Sequence, residues 1–289
     1  MKKKMTGTIA CLAASAVLGT ALLTGCSSTT TAKDTTVKVV DISLTDEEYA
    51  FGIDKNNAEL LTKANEYIAK VKGDGTFDKI CENYFGEGTP QAVVSASQDS
   101  GKDQLVVVTN AEFSPFEYKE GSNYYGIDME LVSGLADFLD KELVILDVDF
   151  DSVCSYVDTG KADMVAAGLT VNETRKQSVT FTDSYYYASQ VLLVPQSSTK
   201  FANCKDAVDV LKILNEGKCK IGGQSGTTAE FYVKGDEEWE FEGISGATWV
   251  GYNSGSLAAN DMLAGNVDYV LIDKAPAKVI AEKIAKANN

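Results

Sequence analysis

Runs that favour extended chain alternate with runs patterned for helix along most of this sequence, and that alternation limits the folds open to it. "LVVVT" (105–109) is a buried-strand run, "DMELVSGLADFLDKE" (128–142) carries apolar residues at helical spacing, and "LVILDV" returns to strand. "DMVAAG", "VLLV", "CKIGG", "YVLI" and "AKVIAEKIA" continue the pattern. Such an order predicts an α/β fold with largely parallel strands. "SGTTAEF" reads as a glycine turn with hydroxyl residues at a helix start. In "IDKAPAKVIAEKI" a strand ends and a helix begins, with Asp273 at the N-cap position. Two stretches rich in small and polar residues, 27–36 and 88–104, read as linkers.

The front of the chain addresses the compartment. Lys2, Lys3 and Lys4 precede an apolar stretch from Thr8 to Leu23, and Leu23-Thr24-Gly25-Cys26 follows. That is the layout of a secretory signal, and its last four residues resemble a bacterial lipobox. The resemblance implies cleavage before Cys26 and diacylation through its sulfur. A membrane-spanning helix fits less well, because Thr, Ser and Gly interrupt the run and it falls short of about 20 residues. The expected division is therefore a signal peptide over 1–25 and a flexible tether over 26–36. The body would stand at the extracellular face of the cytoplasmic membrane, anchored through Cys26. Two acyl chains are the physical requirement for staying there.

Loss of 1–25 removes three lysines and no acids, taking the net charge from −16 to −19. So negative a body argues against nucleic acid and anionic lipid surfaces as partners. About 250 residues remain, enough for one large or two modest domains. The chain contains no histidine, which excludes Ser-His and Cys-His catalytic pairs. No CxxC or Cys/His cluster points to a metal, and no cofactor is expected. Cys204 and Cys219 bracket a helix-like stretch. In an exported protein they are candidates for a disulfide, against the alternative of buried free thiols.

"GLTVNETRK" (168–176) holds the only arginine, Arg175; every other cation is lysine. Two explanations stand for it. It is a surface residue paired with Glu173 or Asp183, or it is a planar fork clamping a carboxylate or phosphate, which an ammonium cannot do.

"GIDMELVSGLADFL" (126–139), preceded by "VVVTNAEFSPFEY" and followed by "DFDSVCSYVDTGKADMVAAGLTVNETRKQSVTFTDSYYYASQVLLV", resembles the family 3 extracellular solute-binding proteins, receptors of amino-acid ABC importers. "IGGQSGTTAE" and "VDYVLIDKAPA" supply the far side of the cleft in that pattern. The resemblance implies a two-lobe, type II periplasmic-binding-protein-like fold that binds an α-amino acid between its lobes, as a monomer, and delivers it to an ABC permease. By position it implies that Arg175 pairs with the ligand's α-carboxylate. Gly168 and Thr170 would hydrogen-bond the same amino acid, and Thr227 and Thr228 would face a carboxylate from a helix start. Asp273 would take the α-ammonium, Phe113 and Phe150 would flank the ligand, and Asn110 and Gln224 would read its side chain. Each has a plainer alternative: Asp273 as a helix cap, the phenylalanines as core, Thr170 as a turn residue. An enzyme on the same fold, of cyclohexadienyl dehydratase type with Glu112 or Asp149 as acid or base, is the second class, and a ligand-sensing ectodomain the third.

One stretch stands out of order. "SLTDEEYAFGIDKNNAELLTKANEYIAKVKGDGTFDKICENYFG" (43–86) resembles the family's closing segment, yet here it precedes the first strand. The resemblance thus implies a circular permutation. Lobe one would take 50–87 with 105–185, lobe two 37–46 with 190–289, and 88–104 would join the family's usual ends. The crossings near 47–49 and 185–189 would form the hinge.

Overall fold

A computed structural model describes residues 34–288. The basic start, the apolar run, Cys26 and most of the expected tether lie outside the described residues.

Two mixed five-stranded sheets carry the fold. The first has the order Thr180–Phe181, Gly52–Ile53, Met164–Val165, Gln104–Thr109, Glu142–Asp147. The second runs Val37–Val40, Gln190–Pro195, Tyr269–Asp273, Cys219–Gln224, Ala247–Tyr252. Each is parallel on one side and antiparallel on the other, so the expected largely parallel arrangement is corrected to a mixed one. The antiparallel strands are those through which the chain passes between the lobes. Such a strand enters its sheet from the hinge side and must run back along it.

Between the sheets, Glu47–Tyr49 pairs antiparallel with Tyr186–Ala188. This short ribbon lies where the hinge is expected. The chain then enters the first lobe through Gly52–Ile53, followed by the helix Ala58–Gly73. The Asn57 side chain caps that helix by accepting from the Leu60 N–H at 3.0 Å. Its inward stripe is Leu60, Ala64, Tyr67, Ile68 and Val71. These share one core with Leu105, Val107, Leu131 and Leu135 of the strands and helix that follow. Burial of each large side chain there contributes about 1.5–3 kcal/mol. Tyr67 lies across Gly134 so closely that a Cβ on that glycine would stand 2.1 Å from the phenolic oxygen.

Segment 88–104 is laid along the first lobe. Val93 exchanges backbone hydrogen bonds with Tyr124, and the Ser95 hydroxyl accepts from the Ile145 N–H at 2.8 Å. Residues 34–36, the described end of the expected tether, are also held. The Thr36 carbonyl accepts from Gln196, and the Thr35 carbonyl from the Asn288 side chain.

All four described cysteines are free thiols, so the expected Cys204–Cys219 bridge is not formed. The reason is local. Cys204 borders a depression against Lys38–Ile42, whereas Cys219 borders another beside Ser245–Thr248. Burial pushes both thiols above their ordinary pKa.

Candidate functional site

Arg175 lies on a single helical turn, Glu173–Lys176, whose cap Asn172 accepts from the Arg175 N–H at 2.6 Å. The turn aims the side chain inward. Nη1 donates to the Thr170 carbonyl at 2.7 Å, and Nη2 reaches across to the Gly226 carbonyl of the other lobe at 3.0 Å. The guanidinium lies 5.3 Å from the Phe150 ring centre. It is buried, and no carboxylate stands within ion-pair distance among the described residues. Burial pulls its pKa down, opposed by Cys154, Glu47, Asp273 and Tyr49.

Opposite it is Asp273, the last residue of a central strand of the second sheet. It holds the N-cap position of Lys274–Ala287, but its side chain makes no cap hydrogen bond. The carboxyl instead accepts from the Tyr49 hydroxyl of the hinge at 2.6 Å. Burial first, and then the neighbouring Glu47 carboxylate, raise its pKa to about 7.

The rest of the cleft joins these two groups. The Thr170 hydroxyl donates to Glu47 at 2.7 Å and lies 3.3 Å from the Thr228 hydroxyl of the facing lobe. Thr227 opens the helix Thr228–Lys234, and its hydroxyl donates to the Gln224 carbonyl at 2.7 Å. Gln224 bridges the lobes, its amide nitrogen donating to Asn110 Oδ1 at 2.7 Å and to the Asn253 carbonyl at 2.9 Å. The Asn110 nitrogen goes to the Val148 carbonyl. Gly168 has a φ of +51°, a conformation that favours glycine, and a Cβ there would meet the Phe113 ring at 2.9 Å. Phe113 also stacks on Phe116 at 6.1 Å. The structure thus gathers all ten sequence-selected residues at the junction of the lobes. Glu112 and Asp149 are exposed. Glu112 lines an interlobe cavity of about 280 Å³.

Sequence reasoning missed a set of buried acids. Glu47 accepts from Thr45, Thr170 and Gln190. Asp128 accepts from the Gly168 N–H at 2.9 Å and the Tyr185 hydroxyl at 2.8 Å, and burial raises its pKa to about 7. Glu117 is fully buried with neither oxygen hydrogen-bonded. Burial, then Asp128 and Asp273, push its pKa well above the carboxylate range. The one available signal for Glu47 was its place in "DEEYAFG", two residues before the hinge tyrosine.

Comparison with known proteins gives the family. The arginine-binding extracellular protein ArtP of Bacillus subtilis is 36% identical over 104 residues, 36% of this chain and 41% of that protein. The histidine-binding periplasmic protein of Escherichia coli K12 is 27% identical over 170 residues, covering 58% of this chain and 60% of that one. The matches therefore span 41% to 60% of these two relatives' lengths. Among solved structures, an ancestral arginine-binding protein bound to arginine superposes with a TM-score of 0.55 at 29% identity, over 64% of this chain and 76% of that one. The ancestral amino acid-binding protein AncCDT-1, a precursor of cyclohexadienyl dehydratase, gives 0.53 at 28%, over 64% and 75%. The family profile of the bacterial extracellular solute-binding proteins, family 3, matches residues 105–271. That match runs over more than half of the sequence, and the chain belongs to this family.

Proposed function

We propose that the protein captures a free α-amino acid between its lobes and hands it to an ABC importer. The observation that carries this reading is Arg175, a buried guanidinium with no carboxylate partner of its own. A buried charge left without a counter-charge is costly, and an α-carboxylate supplies two parallel hydrogen bonds and the missing charge. Asp273 and Glu47 have the complementary need for a cation, which the α-ammonium meets. A zwitterion leaving water loses much solvation at both ends, and here each end finds a partner of opposite sign. Thr170, Thr227, Thr228 and Gly168 would complete the polar contacts. Phe113 and Phe150 would flank the aliphatic part, and Asn110 and Gln224 would face the side chain. A ligand touching both lobes stabilises the closed form by its differential affinity for it.

Delivery to a permease follows the role of the family, and attachment to the membrane would run through lipidated Cys26, with the body acting as a monomer. Calorimetric titration with the twenty amino acids tests the reading. At least one should bind, with the heat lost in Arg175→Ala. Twenty flat titrations of a folded protein would sink it.

A further inference from the structure

The hinge strand alternates: Glu47 and Tyr49 point inward and Glu48 outward. Glu47 is only 5% exposed, and a carboxylate so placed requires partners. Its Oε1 accepts from Thr45 at 2.6 Å and from the Gln190 amide at 3.0 Å, and its Oε2 accepts from Thr170 at 2.7 Å. None of these is a cation, and no lysine stands within ion-pair distance among the described residues. Two residues on, Tyr49 donates to Asp273. One strand therefore brings a carboxylate against the cleft and holds a second one in place.

The bond from Thr170 to Glu47 has a consequence for polarity. A hydroxyl has one proton. Once that proton is committed to Glu47, Thr170, which accepts from the Thr228 hydroxyl at 3.3 Å, has only a remaining lone pair for the cleft, which suits an approaching N–H and not a carboxylate. The charged and titratable groups facing Asp273 are Glu47 and Tyr49 on the hinge strand, Tyr186 on its partner strand, Glu117 from the strand Glu117–Glu120, and Arg175. Of these, only Arg175 is a cation.

We propose that Glu47 is a positioning residue for amino-acid capture: it fixes Thr170 as an acceptor and adds a second negative charge to the ammonium subsite at Asp273, so that the hinge itself takes part in recognition. The proposal rests on the amino-acid-binding reading above.

The test is Glu47→Gln, titrated from pH 5 to 9 with whichever of the twenty amino acids binds the parent most tightly. The parent's affinity should rise with pH through about 7, as Asp273 ionises. In Glu47→Gln that midpoint should move down by about half a unit or more, because a like charge has gone. Above pH 8 the affinity should fall about tenfold. An unmoved midpoint, with or without weaker binding, makes Glu47 only structural and overturns the proposal. If Glu47→Gln does not fold, Glu47→Asp decides. Charge is kept while the reach to Thr170 is lost, so the midpoint should stay and the affinity drop; affinity equal to the parent's overturns the proposal. A parent that binds no amino acid sinks the underlying reading instead, which keeps the two failures distinct.

Discussion

Replacing Arg175 by lysine keeps the charge and removes the fork. One ammonium cannot make two parallel bonds to a carboxylate while also holding the Thr170 and Gly226 carbonyls. Affinity for the amino acid should fall by about 2–4 kcal/mol with the melting temperature little changed, read by titration and thermal unfolding. An unchanged dissociation constant would return Arg175 to a structural cation. Asp273 and Asp128 yield a second prediction through their raised pKa values, both about 7 against an ordinary 3.8. Between those limits the folded chain holds protons that the unfolded chain releases. The contribution of these two carboxyls to the stability of the ligand-free protein should therefore be fullest below about pH 4 and decline as pH rises through 7. Ligand affinity should run the opposite way over the same window, because the ammonium needs Asp273 ionised. Near pH 6.5, below that midpoint of about 7, binding should release a proton, visible as a dependence of the heat on the buffer's ionisation enthalpy. An uptake of protons would contradict the role given to Asp273. Arg175 stood out as the one departure from lysine, and Asp273 as a helix cap, but the site roles expected of both came from the family resemblance and not from the residues alone. Glu47 was not legible, since its partners Thr170 and Gln190 are 123 and 143 residues away in sequence. The Asn110–Gln224 bond, across 114 residues, was hidden for the same reason.

Helices and strands were legible wherever burial gave the chain a clear period. The run 128–142 gave the helix Ile127–Phe138, and "LVVVT" the strand Gln104–Thr109. Strand direction was not, because a period of two is the same whichever way the strand runs. Hence the parallel expectation gave way where the chain crosses between the lobes. The cysteine bridge failed for a related reason: two thiols flanking a helix-like stretch still face whichever way the loops turn them. The contact between the helices Ala58–Gly73 and Ile127–Phe138 allows a sharper test. Alanine at Gly134 should gain about 1 kcal/mol of helix propensity. Its Cβ would meet the Tyr67 oxygen at 2.1 Å and Cζ at 3.1 Å, and Tyr67 is too buried to swing away. Gly134→Ala should therefore destabilise by about 1–3 kcal/mol in a thermal melt. Most of that should return when Tyr67→Phe removes the oxygen. A stabilised single variant would mean that the two helices do not touch there.

Across the whole molecule, residues 37–87 are parts of both lobes. Val37–Val40 edges the second sheet, Gly52–Ile53 joins the first, and the helices Ala58–Gly73 and Thr76–Phe85 pack on the first lobe's core. The family profile nevertheless begins at residue 105. We propose that 37–87 is the family's closing segment carried to the front, with 88–104 joining the usual ends. Permutation is tolerated where cuts fall in surface loops. A chain running 105–289 directly into 37–87 should then fold and bind like the parent, whereas 105–289 alone should be molten and bind nothing. A well-folded short fragment with full affinity would end the idea. The hinge ribbon has a mechanical consequence of its own. Two crossings hydrogen-bonded over three residues each make a strip rather than a pair of strings. A strip flexes across its thin direction more readily than it shears in its plane, so the ribbon favours turning of the lobes, like pages on a spine, over sliding. On the amino-acid-capture reading, filling of the cleft would then be expressed as an angle between the lobes, and anything that gauges that angle would sense occupancy without touching the occupant.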